Sequence, residues 1–320
     1  MTMTVRPLGA DSDLPISGRT ATAASPWRLF WRRNGAGYAF LTPWFVGFFG
    51  LTIGPALISL YLSFTDFNLL QSPHWVGDAN YLRIFTADAK FMQALRVTFF
   101  FAVVSVPLKL AFALAIAMLL NRGLKGLPIY RAIFYLPSLL GASVAIAVLW
   151  RELFAGDGVI NQLLGYVGIT GPSWISNPRY ALWTIILLAV WQFGSPMVIF
   201  LAGLRQIPQD LYEAAAIDGA SKARQFWSVT LPLLTPVIFF NAIIQGIDAF
   251  KSFTPAFIIS GGTGNPINST LFYTLYLYQE AFGFFRMGNA AALAWILLII
   301  IAVFTGISFL TSRYWVYYDE

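Results

Sequence analysis

Polar side chains recur at helical spacing inside a long apolar stretch, residues 232–250, of this 320-residue chain. Asn241, Gln245 and Asp248 are separated by four and three residues, so on a helix they share one face. Amides and carboxylates offer hydrogen-bonding groups that suit a hydroxyl-rich ligand. The stripe therefore predicts either the lining of a solute path or hydrogen bonding between helices. Asp248 is also spaced to pair with Lys251 at the outer membrane edge.

Four further residues are candidates for the same path. Lys109 lies inside another apolar segment, where it either extends toward the membrane surface or supplies a cation for an anionic solute. Trp191 and Gln192 would add a stacking surface and an amide, or else hold helices together. Ser252 follows the stripe by four residues after Asp248.

The composition limits the chemistry of the chain. There is no cysteine and only one histidine, His74, which leaves no thiolate metal site or disulfide and little room for a zinc site or a histidine-based triad. Hydrophobic residues make up 58% of the chain and charged residues 11%, whereas soluble domains carry about a quarter charged residues. The composition is typical of an integral membrane protein. The net charge of +6 lies mostly in loops and indicates membrane orientation, not nucleic-acid binding.

Six segments are long and apolar enough to cross a bilayer, which takes about 20 residues. The sequence therefore predicts an all-α integral membrane protein with six transmembrane helices. The spans are approximately residues 39–64, 97–120, 132–150, 181–204, 232–250 and 289–310.

Basic residues orient these spans. Twelve of the 20 Lys and Arg residues lie in the N-terminal segment, at the C-terminus and in two of the connections, against seven on the opposite side. Because cytoplasmic loops carry the excess of positive charge, both termini are expected to be cytoplasmic. Residues 1–37 have no signal-peptide pattern and are interpreted as a flexible cytoplasmic tail with a short amphipathic piece, Pro26 to Arg33. Residues 38–320 are interpreted as one transmembrane domain.

The cytoplasmic connection at residues 205–231 has the pattern of a helix, a glycine turn and a second helix. Pro208 and Asp210 suit the start of the first helix. Gly219 is expected to end it, because the residue after a helix often adopts a left-handed conformation. Ser221 is a candidate cap for the second helix, which Pro232 is expected to end as the fifth span begins. By itself the segment is equally well explained as an interfacial helix whose alanines serve helix propensity.

The spacing within this segment resembles the EAA motif of ABC-importer permeases, in the longer form typical of maltose-type sugar permeases. The one departure is Val229, where isoleucine is more usual. The resemblance implies that the segment docks on an ATPase subunit as a coupling helix, with Glu213 and Gly219 the most sensitive positions. The matching residues are Glu213, Ala214, Ala215, Asp218, Gly219, Ala220, Phe226, Leu231, Pro232 and Pro236.

Shorter motifs along the chain carry the same resemblance in the same order. They are LSFTDF (62–67), VGDANYLRIF (76–85), GGTGNPINST (261–270) and FFRMGNAAALAWIL (284–297). The resemblance implies the type I ABC importer permease fold in a bacterial cytoplasmic (inner) membrane. It further implies a cytoplasmic ABC ATPase dimer, a second homologous permease subunit, an extracytoplasmic solute-binding protein and a saccharide as the cargo.

The chain has no G-x-x-x-x-G-K-[ST] phosphate loop, so it is expected to bind no cofactor and to leave ATP and magnesium to partner ATPase subunits. The cargo is predicted to be a sugar or oligosaccharide, either neutral or acidic, such as alginate fragments. Alternatives are a non-sugar solute and an ion-gradient-driven secondary transporter, which predicts internal repeats that the sequence lacks. An intramembrane enzyme is disfavoured because no catalytic constellation is present.

Overall fold

The computed structural model describes residues 26–123, 126–141 and 143–317, with side chains from Gly37 onward. In this part of the chain the regular secondary structure is helical, apart from one isolated bridge between Thr65 and Trp75. The α-helices are α1 (Pro26–Gly47), α2 (Gly54–Ser63), α3 (Ala79–Thr86), α4 (Ala89–Leu120), α5 (Leu127–Leu140), α6 (Val144–Leu153), α7 (Val159–Tyr166), α8 (Ala181–Trp191), α9 (Gly194–Gln206), α10 (Gln209–Ile217), α11 (Lys222–Gln225), α12 (Leu231–Phe250), α13 (Thr254–Ile259), α14 (Tyr273–Tyr278) and α15 (Met287–Ser312). The π-helical segments are Phe48–Ile53, Phe226–Thr230 and Gln279–Gly283.

The helices confirm an all-α membrane protein with up to six spans. Four stretches are long and apolar enough to cross a membrane alone: Gly37–Ser63, Ala89–Leu120, Lys222–Ile259 and Met287–Ser312. Two more spans are bent pairs, α5 with α6 at 94° and α8 with α9 at 43°. These six coincide with the six segments that hydropathy predicts.

Residues 1–57 form one compact unit, described from Pro26. The predicted tail lies outside the described residues up to position 25. Pro26 to Arg33 is helical and is the first part of α1, which continues into the first span.

Residues 58–320 form the second unit, and the long helix α4 runs through it. Helix α4 packs against α8, α9, α12 and α14, and its buried alanines Ala94, Ala113 and Ala117 are fully covered. Small residues at such contacts let membrane helices approach closely. One apolar core surrounds the first half of α4, with Phe101 and Phe272, and a second surrounds its later half.

The second span begins eight residues before the predicted position 97. Asp88 caps α4 at Ala89, its carboxylate accepting hydrogen bonds from the backbone N–H groups of Lys90 and Phe91 at 3.0 and 3.1 Å. A capping carboxylate satisfies free N–H groups of the first turn, so the helix extends past the apolar segment that hydropathy detects.

Candidate functional site

Five of the seven predicted path residues line one cavity of about 230 Å³. We call it the central cavity. Helices α4, α8 and α12 and the chain at the start of α13 enclose it, so residues far apart in the sequence meet there. The five residues are Lys109, Gln192, Gln245, Asp248 and Ser252.

The polar groups of the central cavity differ in how far they are engaged. The side-chain amide of Gln192 donates to the carbonyl of Gly141 at 3.2 Å, and Asp248 pairs with Lys251 at 3.5 Å, as their spacing indicates. By contrast, the described residues provide no hydrogen-bond partner for the Gln245 side chain and no ion pair for Lys109. The cavity therefore presents a free amide to a ligand, together with the cation of Lys109, on which the charge of Asp248 acts.

Asn241 and Trp191 lie outside the central cavity. Asn241 shares the helical face of Gln245, but it lies about 10 Å from Asp248 along the axis, and the cavity does not extend that far. It is 1% exposed and donates to the carbonyl of Val237 at 3.0 Å. The indole of Trp191 packs beside that of Trp150, with ring centroids 5.9 Å apart. The Trp191 contact joins two helices, whereas the Asn241 bond lies within α12 and leaves its Oδ1 buried without a partner among the described residues.

Ser105 and Gly141 are among the cavity residues that the sequence interpretation missed. Ser105 precedes Lys109 by four residues, and that spacing was a usable signal. Gly141 follows α5 at the bend of the third span, where a side-chain Cβ would lie 2.2 Å from Cγ and Cδ of Gln192. Only glycine allows Gln192 its present position, and no local pattern indicated that contact.

The described residues include no group of three or more His, Asp or Glu side chains that could hold a metal ion.

At the other end of α12, residues 208–231 form the predicted helix, glycine turn and second helix. We call this segment the coupling loop. Gly219 has a φ of +77°. Its N–H donates to the carbonyl of Ala216 at 3.0 Å, and the N–H of Ala220 donates to that of Ala215 at 2.9 Å. This pair of bonds is a Schellman motif, so Gly219 ends α10 as the sequence predicts.

Side chains fasten the coupling loop to the start of the fifth span. The hydroxyls of Tyr212 and Thr230 are hydrogen-bonded at 2.9 Å. The buried Gln225 donates its amide to the carbonyl of Ala220 at 3.2 Å, and Ser221 caps α11 through the N–H of Arg224. The loop is thus held as one piece.

The outward face of the coupling loop is exposed and mixed in character. Glu213, Ala214 and Asp218 are exposed, while Ala215 and Ala220 are half-buried. The sequence interpretation missed two apolar members of this surface, Ile217 (87% exposed) and Trp227 (66% exposed). Exposed apolar side chains beside polar groups are a feature of protein interaction sites.

The expected helix end at Pro232 is wrong. Helix continues without a break from Lys222 to Phe250. A π-helical segment, Phe226–Thr230, directly precedes α12, and Leu231 and Pro232 are its half-buried first residues. Because proline has no N–H to donate, it is tolerated where the hydrogen-bonding pattern shifts. The loop and the fifth span are therefore one helical stretch.

Three of the shorter motifs meet at the expected outer side. The Asn80 side chain donates to the carbonyls of Ser63 and Thr65 at 2.9 and 2.8 Å. The N–H of Gly288 donates to the carbonyl of Phe67 at 3.0 Å, and a Cβ on Gly288 would lie 2.0 Å from the Thr65 oxygen. The motifs at 62–67, 76–85 and 284–297 thus form one packed junction.

A buried carboxylate reinforces this junction. Glu280 is 2% exposed and accepts a hydrogen bond from Asn289 at 2.8 Å, with Arg83 and Arg286 each 3.5 Å away. Nearby, Tyr276 donates its hydroxyl to Asp88, and burial together with this bond raises the pKa of Tyr276. The phenol therefore remains a hydrogen-bond donor at neutral pH.

Comparison with known proteins places these features in one family. The sequence profile described as "Binding-protein-dependent transport system inner membrane component" matches residues 32–316. The chain is 52% identical over 306 residues to the probable ABC transporter permease protein YesP of Bacillus subtilis, covering 95% of this chain and 99% of that protein. It is 33% identical over 298 residues to the lactose transport system permease protein LacF of Rhizobium radiobacter, covering 91% and 98%.

The fold is also found in a solved structure. A chain of a bacterial ABC transporter involved in the import of the acidic polysaccharide alginate superposes with a TM-score of 0.73 at 21% identity, covering 90% of this chain and 98% of that chain. A chain of the alginate transporter in complex with an alginate pentasaccharide-bound periplasmic protein gives a TM-score of 0.76 at 20% identity, covering 91% and 98%. The chain belongs to the family of inner membrane components of binding-protein-dependent transport systems and has the fold of an ABC importer permease.

Proposed function

We propose that this chain is a transmembrane permease subunit of an ATP-driven importer that carries a sugar or oligosaccharide across the inner membrane. One observation carries the proposal: a single helical stretch, Lys222–Phe250, joins the coupling loop to the central cavity. From Lys222 to Gln245 this stretch spans about 35 Å. A displacement of the loop is thereby transmitted to residues that would contact a solute.

The coupling loop would dock on one subunit of a cytoplasmic ATPase dimer. Its exposed Glu213 would accept hydrogen bonds from that subunit, and Gly219 would set the angle between α10 and the fifth span. ATP and magnesium would be used by the ATPase, since the chain lacks a phosphate loop. Closure of the ATPase dimer would then move the loop and rock the spans between outward-open and inward-open states.

Membership of the family supports two further partners. A solute-binding protein would deliver cargo to the outer junction built by Asn80, Glu280 and Gly288. A second, homologous permease subunit would complete the translocation path, as a heterodimer.

Two features support a saccharide as the cargo. The central cavity offers the amides of Gln192 and Gln245 and the carboxylate of Asp248, which suit hydroxyl groups. Several relatives are permeases of sugar transport systems, including those for lactose, trehalose/maltose and arabinooligosaccharides. A non-sugar solute would have to make use of the same hydroxyl-binding groups.

The test is solute-stimulated ATPase activity of the complete complex, reconstituted in proteoliposomes with its ATPase, companion permease and binding protein. Neutral and uronic-acid oligosaccharides, amino acids and peptides are compared as solutes. Stimulation by a saccharide is expected. Stimulation by amino acids or peptides alone would overturn the saccharide assignment.

The coupling assignment is tested by Glu213→Ala in the same assay. Loss of a charge-assisted interaction worth about 1.5–3 kcal/mol is expected to lower solute-stimulated hydrolysis by at least about tenfold. The control is Glu152→Ala, which removes another exposed glutamate, on the other side of the membrane. Full stimulation in Glu213→Ala would refute docking through this residue.

A further inference from the structure

Helix α5, the first half of the third span, has two chemically distinct faces. Arg131, Tyr135 and Ser138 are spaced by four and three residues and form a polar stripe on one face. At 100° per residue, the opposite face carries only exposed apolar side chains. These are Ile129, Ile133, Leu136 and Leu140. The apolar face suits lipid or a neighbouring helix, so the polar stripe is turned toward the interior of the span bundle.

A second cavity, of about 390 Å³, lies between this stripe and α9. We call it the Arg131 cavity. It is lined by Arg131, Ala132, Tyr135, Ser195, Val198 and Ile199. Arg131 lies one turn into α5, next to the connection that the charge distribution places in the cytoplasm. The cavity is therefore on the cytoplasmic side.

A hydrogen-bonded junction separates the Arg131 cavity from the central cavity. The Ser138 hydroxyl donates to the carbonyl of Gln192 at 2.9 Å and accepts from the N–H of Ser195 at 3.0 Å. Gly194 packs so closely on α5 that a Cβ there would lie 2.6 Å from the Phe134 oxygen. Since Gln192 lines the central cavity and Ser195 the Arg131 cavity, the two cavities lie on either side of Ser138.

Arg131 is not satisfied by the described residues. Its Nε is buried without a hydrogen-bond partner, and no carboxylate lines the cavity. Buried polar groups in native proteins are nearly always paired, and a guanidinium pairs best with a planar, bidentate anion. Lys109, in the central cavity, is likewise a cation without an ion pair in the described chain.

We propose that the Arg131 cavity is an anion subsite on the cytoplasmic side of the solute path, where the guanidinium binds a carboxylate of an acidic saccharide after it passes the Ser138 junction. The inference rests on the proposed import function and adds the class of cargo and an exit-side residue. A lipid phosphate would offer similar chemistry, but the stripe lies opposite the apolar face of α5 and continues toward Gln192 and the central cavity. This placement favours the solute.

The experiment compares ATP-driven uptake of a mannuronate trisaccharide with that of its carboxyl-reduced counterpart, mannotriose, by the reconstituted complex. The variants are Arg131→Gln, Arg131→Lys and the control Arg122→Gln, which alters an exposed arginine in the turn after α4. Arg131→Gln is expected to lower trimannuronate uptake by about tenfold and to leave mannotriose uptake within about twofold of wild type. Arg131→Lys is expected to recover part of the loss, and Arg122→Gln to show none.

A second variant guards against failure of Arg131→Gln to assemble. Val198→Asp places a carboxylate in the same cavity, where it would pair with Arg131 and cause the same selective loss. Equal loss of both trisaccharides, or no loss, in the variant that assembles would overturn the inference.

Two further outcomes separate the possible failures. In the first, native mass spectrometry finds that Arg131→Gln has lost a bound anionic phospholipid, while trimannuronate uptake shows no selective loss. This outcome would assign the cavity to lipid and overturn the inference. Wild-type uptake of mannotriose alone would overturn the inference and leave the import function standing. Wild-type uptake of neither trisaccharide, with uptake of amino acids or peptides, would overturn both.

Discussion

The coupling loop and the central cavity lie at the two ends of one helical stretch, yet they are built in opposite ways. The loop is contiguous, and its bonds are made within about 25 residues by Gly219, Ser221 and the Tyr212–Thr230 pair. The cavity draws on separate spans, and within the described residues the Gln245 side chain has no hydrogen-bond partner and Lys109 has no ion pair. A region whose own bonds are complete moves as a unit, whereas free polar groups can exchange partners as the spans move. The first construction suits force transmission and the second suits transient solute binding.

The largest effect that this comparison predicts is that of Gly219→Val. A Cβ at Gly219 would meet no neighbouring atom, but the φ of +77° costs a β-branched residue about 1–3 kcal/mol. Relief of that strain would change the orientation of α10. Solute-stimulated ATPase activity is expected to fall by more than about tenfold, while solute affinity remains unchanged. Solute-stimulated ATP hydrolysis in proteoliposomes, measured over a range of solute concentrations, checks both quantities.

The chain supplies a matched control in Gly168→Val. Gly168 also has a φ of +77° and open space, and it ends α7 with the same pair of bonds, Gly168 N–H to Gly165 and Ile169 N–H to Leu164, each 3.0 Å. The strain is the same but lies on the other side of the membrane, so coupling should be retained. Equal loss of coupling in both variants would show that backbone strain at either glycine is sufficient to disturb the complex. The loss would then say nothing specific about the coupling loop.

A smaller effect is expected from Gln245→Leu in the central cavity. Its free amide would make one or two hydrogen bonds to a saccharide, each worth about 0.5–1.5 kcal/mol, so KM for uptake should rise by roughly tenfold. The ratio of solute imported to ATP hydrolysed (the coupling ratio) should remain at the wild-type value. Uptake kinetics at saturating ATP measure both quantities.

Asn241→Leu is the matched control, because Asn241 lies on the same helical face but is buried outside the cavity. This variant should leave KM unchanged and alter only the thermal stability of the complex. If Asn241→Leu raised KM as much as Gln245→Leu, the solute path would extend deeper than the central cavity.

The sequence predicted the coupling loop better than the central cavity, because the loop is contiguous and the cavity is not. Gly219 and Ser221 act through backbone groups within five residues, so residue type and spacing were sufficient to predict the turn and the cap. Spans were predicted for the same reason, since hydropathy is summed locally. The expected helix end at Pro232 is the exception among these local predictions. The π-helical segment before α12 lets the helix continue although Pro232 has no N–H, and residue type alone does not predict such a segment.

The central cavity was predicted only in part, because its limits depend on how spans pack. Helical spacing placed Asn241, Gln245 and Asp248 on one face, but depth along the helix decided which of them reach the cavity. The contact of Gly141 with Gln192 joins positions 51 residues apart across two bends. Trp191 packs beside Trp150, on another helix, whereas the adjacent Gln192 lines the cavity. None of these facts is encoded at short range.

The smallest predicted effect concerns the bond that fastens the coupling loop to the fifth span. Tyr212→Phe removes one hydroxyl from the pair with Thr230, a net loss of about 1 kcal/mol. If the loop moves as a unit because of this bond, the coupling ratio should fall about two- to fivefold. Thr230→Val removes the other hydroxyl, so the double variant should be little worse than either single one, as a double-mutant cycle requires for a direct interaction. Additive losses would mean that the two residues act separately, and the stiffness of the loop would then rest on Gly219, Ser221 and the bond from Gln225 to Ala220.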